Sequence, residues 1–255
     1  MNNQLVNTEI DGGVMVIAIN RPEVRNAVDL ATTEALAAAL DELDARADVA
    51  VGILTGSGGF FCAGMDLKAF ARGERPVIKG RGFGGLTEAP PQKPLIAAVE
   101  GVAFGGGFEL ALACDLIVAA SDSRFGLPEV KRGLLAAGGG VLRLPRRLPY
   151  HLAMELILTG AAFDAAKAQT WGLVSRVAPP GSALSLAREL AAEIAANGPM
   201  AVRASKYLVT QSDEWALKES FPKQREIVMQ VMSSDDAKEG ATAFAQKRAP
   251  VWTGH

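Results

Sequence analysis

The sequence predicts an α/β protein with a largely parallel sheet, followed by a helical C-terminal region. Strand-like and helical segments alternate through residues 1–120, which is typical of stacked β-α units. From about Tyr150 onward the hydrophobic spacing indicates helices only. We therefore expect a sheet-based core at residues 1–190 and a helical extension at residues 191–255.

The first half of the chain supplies the strands of this sheet. Leu5–Ile10 and Val14–Ile19 read as a hairpin, because Asp-Gly-Gly between them tolerates positive φ. Leucines spaced three to four residues apart predict a helix from Asp29 to Asp44. Further elements follow in order: strand 49–54, a short helix from residue 66, strand 95–99, a helix over 109–114 and strand 116–120.

Two later segments carry their own expectations. Residues 73–93 contain Gly, Arg and Pro without a clear period, which predicts a mobile surface segment with little core that acts as a lid. In the helical half, Pro199 suits the first turn of a helix that runs to Gln211. Phe221-Pro222 should break or kink the next helix, and residues 237–247 form the last amphipathic stretch.

Composition excludes several classes of protein. The chain has 255 residues, 49% of them hydrophobic and 21% charged, which predicts a folded globular protein. Its net charge of −2 gives no reason to expect nucleic acid or an anionic membrane as partner. No apolar stretch approaches a membrane span, no signal peptide is visible, and Cys62 and Cys114 lie too far apart for a metal motif. We expect a soluble cytoplasmic protein with reduced, buried cysteines.

Two glycine-containing segments could present backbone amides to a ligand. Within Gly101–Glu109, three consecutive glycines, Gly105–Gly107, lie between a strand and a helix, and Phe60–Asp66 ends a second apolar strand with a glycine and an aspartate. Free amides at a helix N-terminus stabilise negative charge. A pair of such donors at neighbouring strand ends would form an oxyanion hole. Tight packing is the alternative explanation for the glycines.

Other catalytic motifs are missing from the sequence. No GK[ST] follows the glycines, and their order differs from the G-x-G-x-x-G of a dinucleotide turn. There is no G-x-S-x-G, and the histidines His151 and His255 form no cluster with other metal ligands. We therefore expect no metal site.

Two glutamates remain as candidate acid–base groups. Glu109 begins an apolar helix and Glu129 follows an apolar turn, so burial and mutual repulsion would raise the pKa of one of them. The alternative is structural: Glu109 would cap its own helix, and Glu129 would pair with Lys131 or Arg132. The residues alone favour neither.

In order and spacing, several segments together resemble the crotonase, or enoyl-CoA hydratase/isomerase, superfamily over nearly the whole chain. These segments are Asn20–Ala27, Phe61–Leu67, Gly101–Asp115, Phe125–Glu129, Glu239-Gly240 and Phe244–Arg248. The resemblance implies an α/β fold of the crotonase type, a ββα spiral core with C-terminal helices that build homotrimers, often stacked as homohexamers.

The resemblance also implies roles for individual residues. The amides of Met65 and Gly106 would hold the thioester oxygen of an acyl-CoA, while Glu109 and Glu129 would flank a water molecule and the α,β-double bond. Arg25 would lie near phosphate, and Phe244 and Lys247 would reach coenzyme A across a subunit boundary. Contacts with coenzyme A are implied at Val24, Arg25, Ala27, Ala63, Asp66, Leu67, Phe244 and Lys247.

Within this superfamily, the presence of both glutamates favours hydratase chemistry, so we expect a lyase of fatty acid metabolism. We expect no cofactor, since coenzyme A is part of the substrate. Isomerases and thioester hydrolases of the superfamily are alternatives, as is a non-catalytic acyl-CoA-binding protein. Ala136-Ala137 stands where typical hydratases have Pro-Gly. Because that segment shapes the pocket, a dehydratase of the carnitinyl-CoA type is the nearest enzymatic alternative.

Overall fold

The computed structural model describes residues 4–255. Its strands are β1 Val6–Asp11, β2 Val14–Ile19, β3 Val51–Gly56, β4 Val77–Ile78, β5 Gly82–Phe83, β6 Leu95–Val99, β7 Val102–Phe104, β8 Leu116–Ala120, β9 Arg124–Gly126, β10 Phe163–Asp164 and β11 Arg176–Ala178. Its α-helices are α1 Leu30–Ala45, α2 Leu67–Ala71, α3 Gly106–Ala113, α4 Gly140–Arg147, α5 Tyr150–Thr159, α6 Ala165–Thr170, α7 Ala183–Ala195, α8 Pro199–Gln211, α9 Leu217–Met232 and α10 Asp235–Gln246.

Six strands form the main sheet, in the order β1-β2-β3-β6-β8-β11. β1 and β2 pair as the antiparallel hairpin that the sequence predicts, and the other neighbours are parallel. A second sheet has the order β10-β9-β7, and β4 pairs with β5. The α/β fold class predicted from the sequence is confirmed.

The main sheet is buried on both faces. Met15 and Ile17 of β2 belong to the larger core cluster, together with apolar residues of α1 and α3. Val14 and Val16 of the same strand point the other way, into a second cluster with α7. Because successive side chains of a strand point to opposite faces, the near-continuous apolar sequence of β2 follows from helices covering both sides.

The expectation of helices only after Tyr150 is wrong. β10 pairs with β9, and β11 extends the main sheet as a parallel neighbour of β8. These strands have two and three residues, which is too short to show an alternating pattern. Pairing partners far away in the sequence stabilise them instead.

Two further expectations need correction. The segment 73–93 does contribute to the core, because Phe83 and Leu86 are buried in the larger cluster. Its glycines and prolines allow tight turns that carry these side chains inward. α9 continues through Pro222, the sixth residue of the helix, so the proline does not break it. No helix among residues 4–255 is long and apolar enough to cross a membrane.

Candidate active site

A tight turn after Phe61 leaves one backbone amide without a partner. The Sγ of buried Cys62 accepts a hydrogen bond from the N–H of Gly64, at 3.3 Å. On either side of Met65, Gly64 O accepts from Val28 N at 2.8 Å, and Asp66 N donates to Val28 O at 2.9 Å. Within residues 4–255, the N–H of Met65 itself donates to no protein acceptor.

The glycine run at the start of α3 provides a second such amide. Gly105 has φ 55° and ψ −127°, a conformation open essentially to glycine alone. Gly106 is the first residue of α3, so its N–H has no acceptor in the helix. A Cβ atom on Gly64 would lie 3.1 Å from Gly106 N. The two turns are therefore in contact, and two amide donors in this arrangement can stabilise an oxygen that carries negative charge.

Glu109 lies on the first turn of α3 and is only 4% exposed. Its Oε1 accepts a hydrogen bond from Gly140 N at 2.8 Å. A Cβ on Gly138 would lie 2.7 Å from Oε2, so glycine permits the close approach of this backbone. Burial raises the pKa of Glu109 to about 7; the amide of Gly140 lowers it and the charge of Glu129 raises it. Glu109 therefore changes its ionisation state near neutral pH.

Glu129 lies in the short 3-10 helix Pro128–Arg132 and approaches the start of α3 from the other side. Its Oε1 would be 3.1 Å from a Cβ on Gly105. Its Oε2 is buried and has no hydrogen-bond partner among the described residues. Burial raises the pKa of Glu129 above the ordinary value, and Arg132 lowers it. An unpartnered oxygen on a carboxyl group whose pKa is raised can exchange a proton with a molecule placed beside it.

The structural alternative for the two glutamates does not hold. Glu109 bonds to the first amide of α4, not to its own helix. In the part of the chain that the structure describes, Glu129 forms no ion pair with Lys131 or Arg132 within 4 Å. The charge of Glu129 instead raises the pKa of Glu109, so the two carboxyl groups lie close enough to interact.

Phe83 packs against both parts of the candidate site. A Cβ on Gly106 would lie 2.5 Å from the tip of the Phe83 ring, and one on Gly138 would lie 3.2 Å from the Cβ of Phe83. Thr87 fixes this segment, since its hydroxyl accepts from Phe83 N at 2.9 Å and its carbonyl accepts from Arg143 at 2.6 Å. The segment expected to be a mobile lid is thus anchored to α4.

Ala136-Ala137, which stands where typical hydratases have Pro-Gly, precedes the glycines that contact Glu109. Ala136 is buried in the larger core cluster, whereas Ala137 is exposed. These two small residues lie in the segment that connects the 3-10 helix of Glu129 to the start of α4.

The two segments expected to contact coenzyme A lie side by side. Ala63 N donates to Arg25 O at 3.0 Å. Val24 and Ala27 lie within two residues of Arg25 in the sequence. Arg25 is exposed and has a left-handed φ of 53°, with its guanidinium 5.6 Å from the centre of the Phe60 ring.

The remaining expected residues have different surroundings. Leu67 is 47% exposed at the start of α2. The carboxylate of Asp66 caps α2 by accepting from Lys68 N and Ala69 N at 3.0 and 3.1 Å. Phe244 is 88% exposed on α10, and Lys247 ends that helix. Among residues 4–255, no hydrogen bond or ion pair joins Phe244 or Lys247 to the other candidate residues.

Sequence reasoning assigned no role to two polar residues beside the site. Asn26 is fully buried with φ 57°; its amide donates to Ser57 O at 2.9 Å and Phe60 O at 2.6 Å. Arg21 bridges Asp29 and Asp66. Both lie inside the segment Asn20–Ala27 that carries the resemblance, but only long-range contacts reveal what their side chains do.

The chain is similar to known proteins over nearly its whole length. The model of the family described as enoyl-CoA hydratase/isomerase matches residues 9–255. A carnitinyl-CoA dehydratase of Proteus mirabilis is 42% identical over 251 residues, which cover 95% of this chain and 96% of that protein. One of Salmonella typhi is 43% identical over 252 residues, covering 96% of each.

Solved structures of similar proteins share both the fold and much of the sequence of this chain. The structure of an enoyl-CoA hydratase from Mycobacterium marinum has a TM-score of 0.97 at 58% identity, covering 98% of this chain and 99% of that one. That of a carnitinyl-CoA hydratase from Mycobacterium avium has a TM-score of 0.79 at 43% identity, covering 99% of both chains.

Proposed function

Because the chain belongs to the enoyl-CoA hydratase/isomerase family, we propose that it adds water across the 2,3-double bond of a trans-2-enoyl-CoA to give a 3-hydroxyacyl-CoA. The observation that carries this proposal is that two glutamates with raised pKa values, Glu109 and Glu129, lie beside two unpartnered amides. Hydration needs one base, one acid and a stabilised enolate, and these groups supply all three.

In the proposed mechanism, the amides of Met65 and Gly106 hold the thioester oxygen. Ionised Glu109 takes a proton from water as the water oxygen bonds to C3, and the π electrons move toward the thioester to give an enolate. Protonated Glu129 then donates its proton to C2. After these steps Glu109 holds a proton and Glu129 has lost one, and passage of one proton from Glu109 to Glu129 through solvent restores both groups. The complete cycle then adds one water molecule to the double bond.

No further cofactor enters this proposal. Water and the two carboxyl groups account for every proton, and the enolate charge falls on an oxygen that amides can hold. Coenzyme A enters as part of the substrate. We propose that the backbone at Val24–Ala27 and Ala63–Leu67 contacts its nucleotide and pantetheine, with Arg25 near phosphate.

We also propose that the helical region 191–255 builds a homotrimer or homohexamer, with the core at residues 1–190. α8 and α9 contain no buried residue in the isolated chain. Large apolar side chains on these helices and α10 face outward, including Leu217 at 82%, Phe221 at 67% and Phe244 at 88% exposure. Such a surface indicates a protein interface, and Phe244 and Lys247 would reach the coenzyme A of a neighbouring subunit.

A cytoplasmic role in fatty acid metabolism is the setting we propose for this chemistry. Both cysteines are free and buried, as expected in a reducing compartment.

A second candidate reaction is the dehydration of a functionalised acyl-CoA of the carnitinyl-CoA type. It is supported by the names of the relatives from Proteus and Salmonella and by Ala136-Ala137 beside the glutamates. The same two glutamates would serve, because dehydration is the reverse of hydration. The higher identity with the Mycobacterium marinum hydratase favours the first candidate.

A substrate panel tests these candidates. Purified protein is incubated with enoyl-CoAs and 3-hydroxyacyl-CoAs of different chain length, and with the carnitinyl-CoA pair. We expect a mass change of 18 without release of free coenzyme A. A moved double bond at constant mass would indicate an isomerase, free coenzyme A a thioesterase, and no reaction on any member a binding protein.

A further inference from the structure

Arg21 connects the starts of two helices. Its side chain is 14% exposed, and Nη2 lies 3.1 Å from Asp29 Oδ2 and 3.1 Å from Asp66 Oδ2. Its Nη1 donates to the carbonyl of Ala27. A single guanidinium therefore holds two carboxylates and the backbone between them, a task that the planar fork of arginine can perform and lysine cannot.

Each of the two carboxylates also caps a helix. Asp29 Oδ1 accepts from Thr32 N at 2.8 Å at the start of α1, and Asp66 Oδ1 accepts from the first amides of α2. Burial raises the pKa of Asp66, but the amide of Ala69 and the charge of Arg21 outweigh this and hold it below the usual range. Both oxygens of Asp66 are thus engaged within the protein.

The bridge lies next to the amide of Met65. Asp66 N and Gly64 O, on either side of Met65, bond to the O and N of Val28. Val28 in turn lies between Ala27 and Asp29, which Arg21 holds. The direction of the Met65 amide therefore depends on two backbone segments that meet at this one guanidinium.

We propose that Arg21 is a positioning residue for the Met65 amide, acting through its bridge between Asp66 and the segment 27–29. This inference rests on the proposed function, in which that amide holds the thioester oxygen. Asp66, whose carboxylate is already engaged, contributes through the bridge and not by a side-chain contact with coenzyme A. Loss of the bridge should weaken the oxyanion contact while ground-state binding of the acyl-CoA persists.

The test measures the polarisation of the thioester directly. Arg21→Lys, Arg21→Ala and Asp66→Asn are compared with wild type and with Arg46→Ala. Arg46 is a matched control because it also contacts two carboxylates, Glu42 and Asp48, but on an exposed surface. Binding of butyryl-CoA labelled with ¹³C at C1 is followed by isotope-edited infrared spectroscopy, since this saturated ester cannot be hydrated.

The expected result is a carbonyl stretch that moves back toward its value in solution in the Arg21 and Asp66 variants, but not in Arg46→Ala. We expect kcat on the enoyl-CoA to fall 10-fold or more, while the Kd of butyryl-CoA changes less than 3-fold. If Arg21→Ala does not fold, Arg21→Lys and Asp66→Asn decide. A folded variant with a wild-type stretch and kcat would overturn the proposal, as would equal losses in kcat and butyryl-CoA affinity without a spectral change.

The proposed reaction and the positioning role of Arg21 can fail independently of each other. If wild type hydrates no enoyl-CoA but still lowers the carbonyl stretch in a manner that depends on Arg21, only the proposed reaction is wrong. If wild type hydrates its substrate and the stretch does not depend on Arg21, only the positioning role is wrong.

Discussion

Replacing Glu109 with glutamine should stabilise the protein at pH 8 while it suppresses the proposed reaction. Glu109 is 4% exposed, and burial raises its pKa from the ordinary 4.5 to about 7. Each pKa unit corresponds to about 1.4 kcal/mol, so keeping this carboxylate ionised in the folded protein costs about 3 kcal/mol above pH 7. Glutamine carries no charge and keeps an oxygen that accepts from Gly140 N.

The sign of the pH dependence follows from the two pKa values. Between pH 4.5 and 7, the folded protein retains a proton on Glu109 that the unfolded chain has lost. The free energy of unfolding of wild type therefore falls through this range, and the cost persists at higher pH. The advantage of Glu109→Gln should be near zero at pH 4.5, grow up to pH 7 and stay constant above it.

Thermal unfolding at a fixed protomer concentration measures this difference from pH 4.5 to 8.5. For a chain of this length, about 3 kcal/mol corresponds to a Tm higher by roughly 6–12 °C, whereas the rate should fall by about 10²–10⁴-fold. The exposed Glu155 provides a control, since Glu155→Gln should change neither quantity. A Tm difference that does not depend on pH, or a less stable Glu109→Gln at pH 8, would refute the assigned burial cost.

Three further predictions concern the amides, the absence of a cofactor and the oligomer. Gly106→Pro should lower kcat by about 10²–10³-fold because it deletes a donor, and Gly106→Val should also slow turnover because its Cβ meets the Phe83 ring. Met65→Ala should have little effect on kcat. If folded Gly106 variants keep their kcat while Met65→Ala loses it, the oxyanion site lies elsewhere. Dialysis against EDTA should leave the rate unchanged, and a loss that a divalent metal restores would contradict the cofactor-free mechanism. Leu217→Glu should shift the mass measured by light scattering toward the monomer, whereas a monomeric wild type at micromolar concentration would contradict the proposed interface.

The sequence predicted those elements whose signals are local. The hairpin β1–β2 follows from its two strand-like segments and the Asp-Gly-Gly turn between them, and Pro199 begins α8 as its position indicates. Asp66 caps α2, the short helix that the sequence predicts from residue 66. Each of these features depends on residues within a few positions of one another, so periodicity and capping rules suffice.

Features that depend on distant partners could not be predicted in this way. β7 and β9 have three residues each and exist because they pair with each other. The burial of Phe83 follows from its contact with the backbone of Gly106. Arg21 could be read as an ordinary surface cation, because the carboxylate of Asp66 lies 45 positions along the chain. Long-range packing, which no short window contains, decides all three.

The candidate glutamates could be predicted only in part, because both local and distant residues determine their surroundings. Their apolar neighbours indicated perturbed pKa values, which the burial of Glu109 now explains. The amide of Gly140 as partner of Glu109, and the unpartnered Oε2 of Glu129, became visible only in the folded chain. Their roles in catalysis remain our proposal.

Isotope incorporation shows whether Glu109 and Glu129 add water across the double bond. Wild type, Glu109→Gln and Glu129→Gln are incubated with a trans-2-enoyl-CoA that wild type accepts, in water enriched in ¹⁸O and deuterium. We expect wild type to place ¹⁸O at C3 and one deuteron at C2, without free coenzyme A, and each variant to do so at least 100-fold more slowly. Incorporation at near wild-type rates in both variants, or a product with a moved double bond and no ¹⁸O, would contradict this expectation.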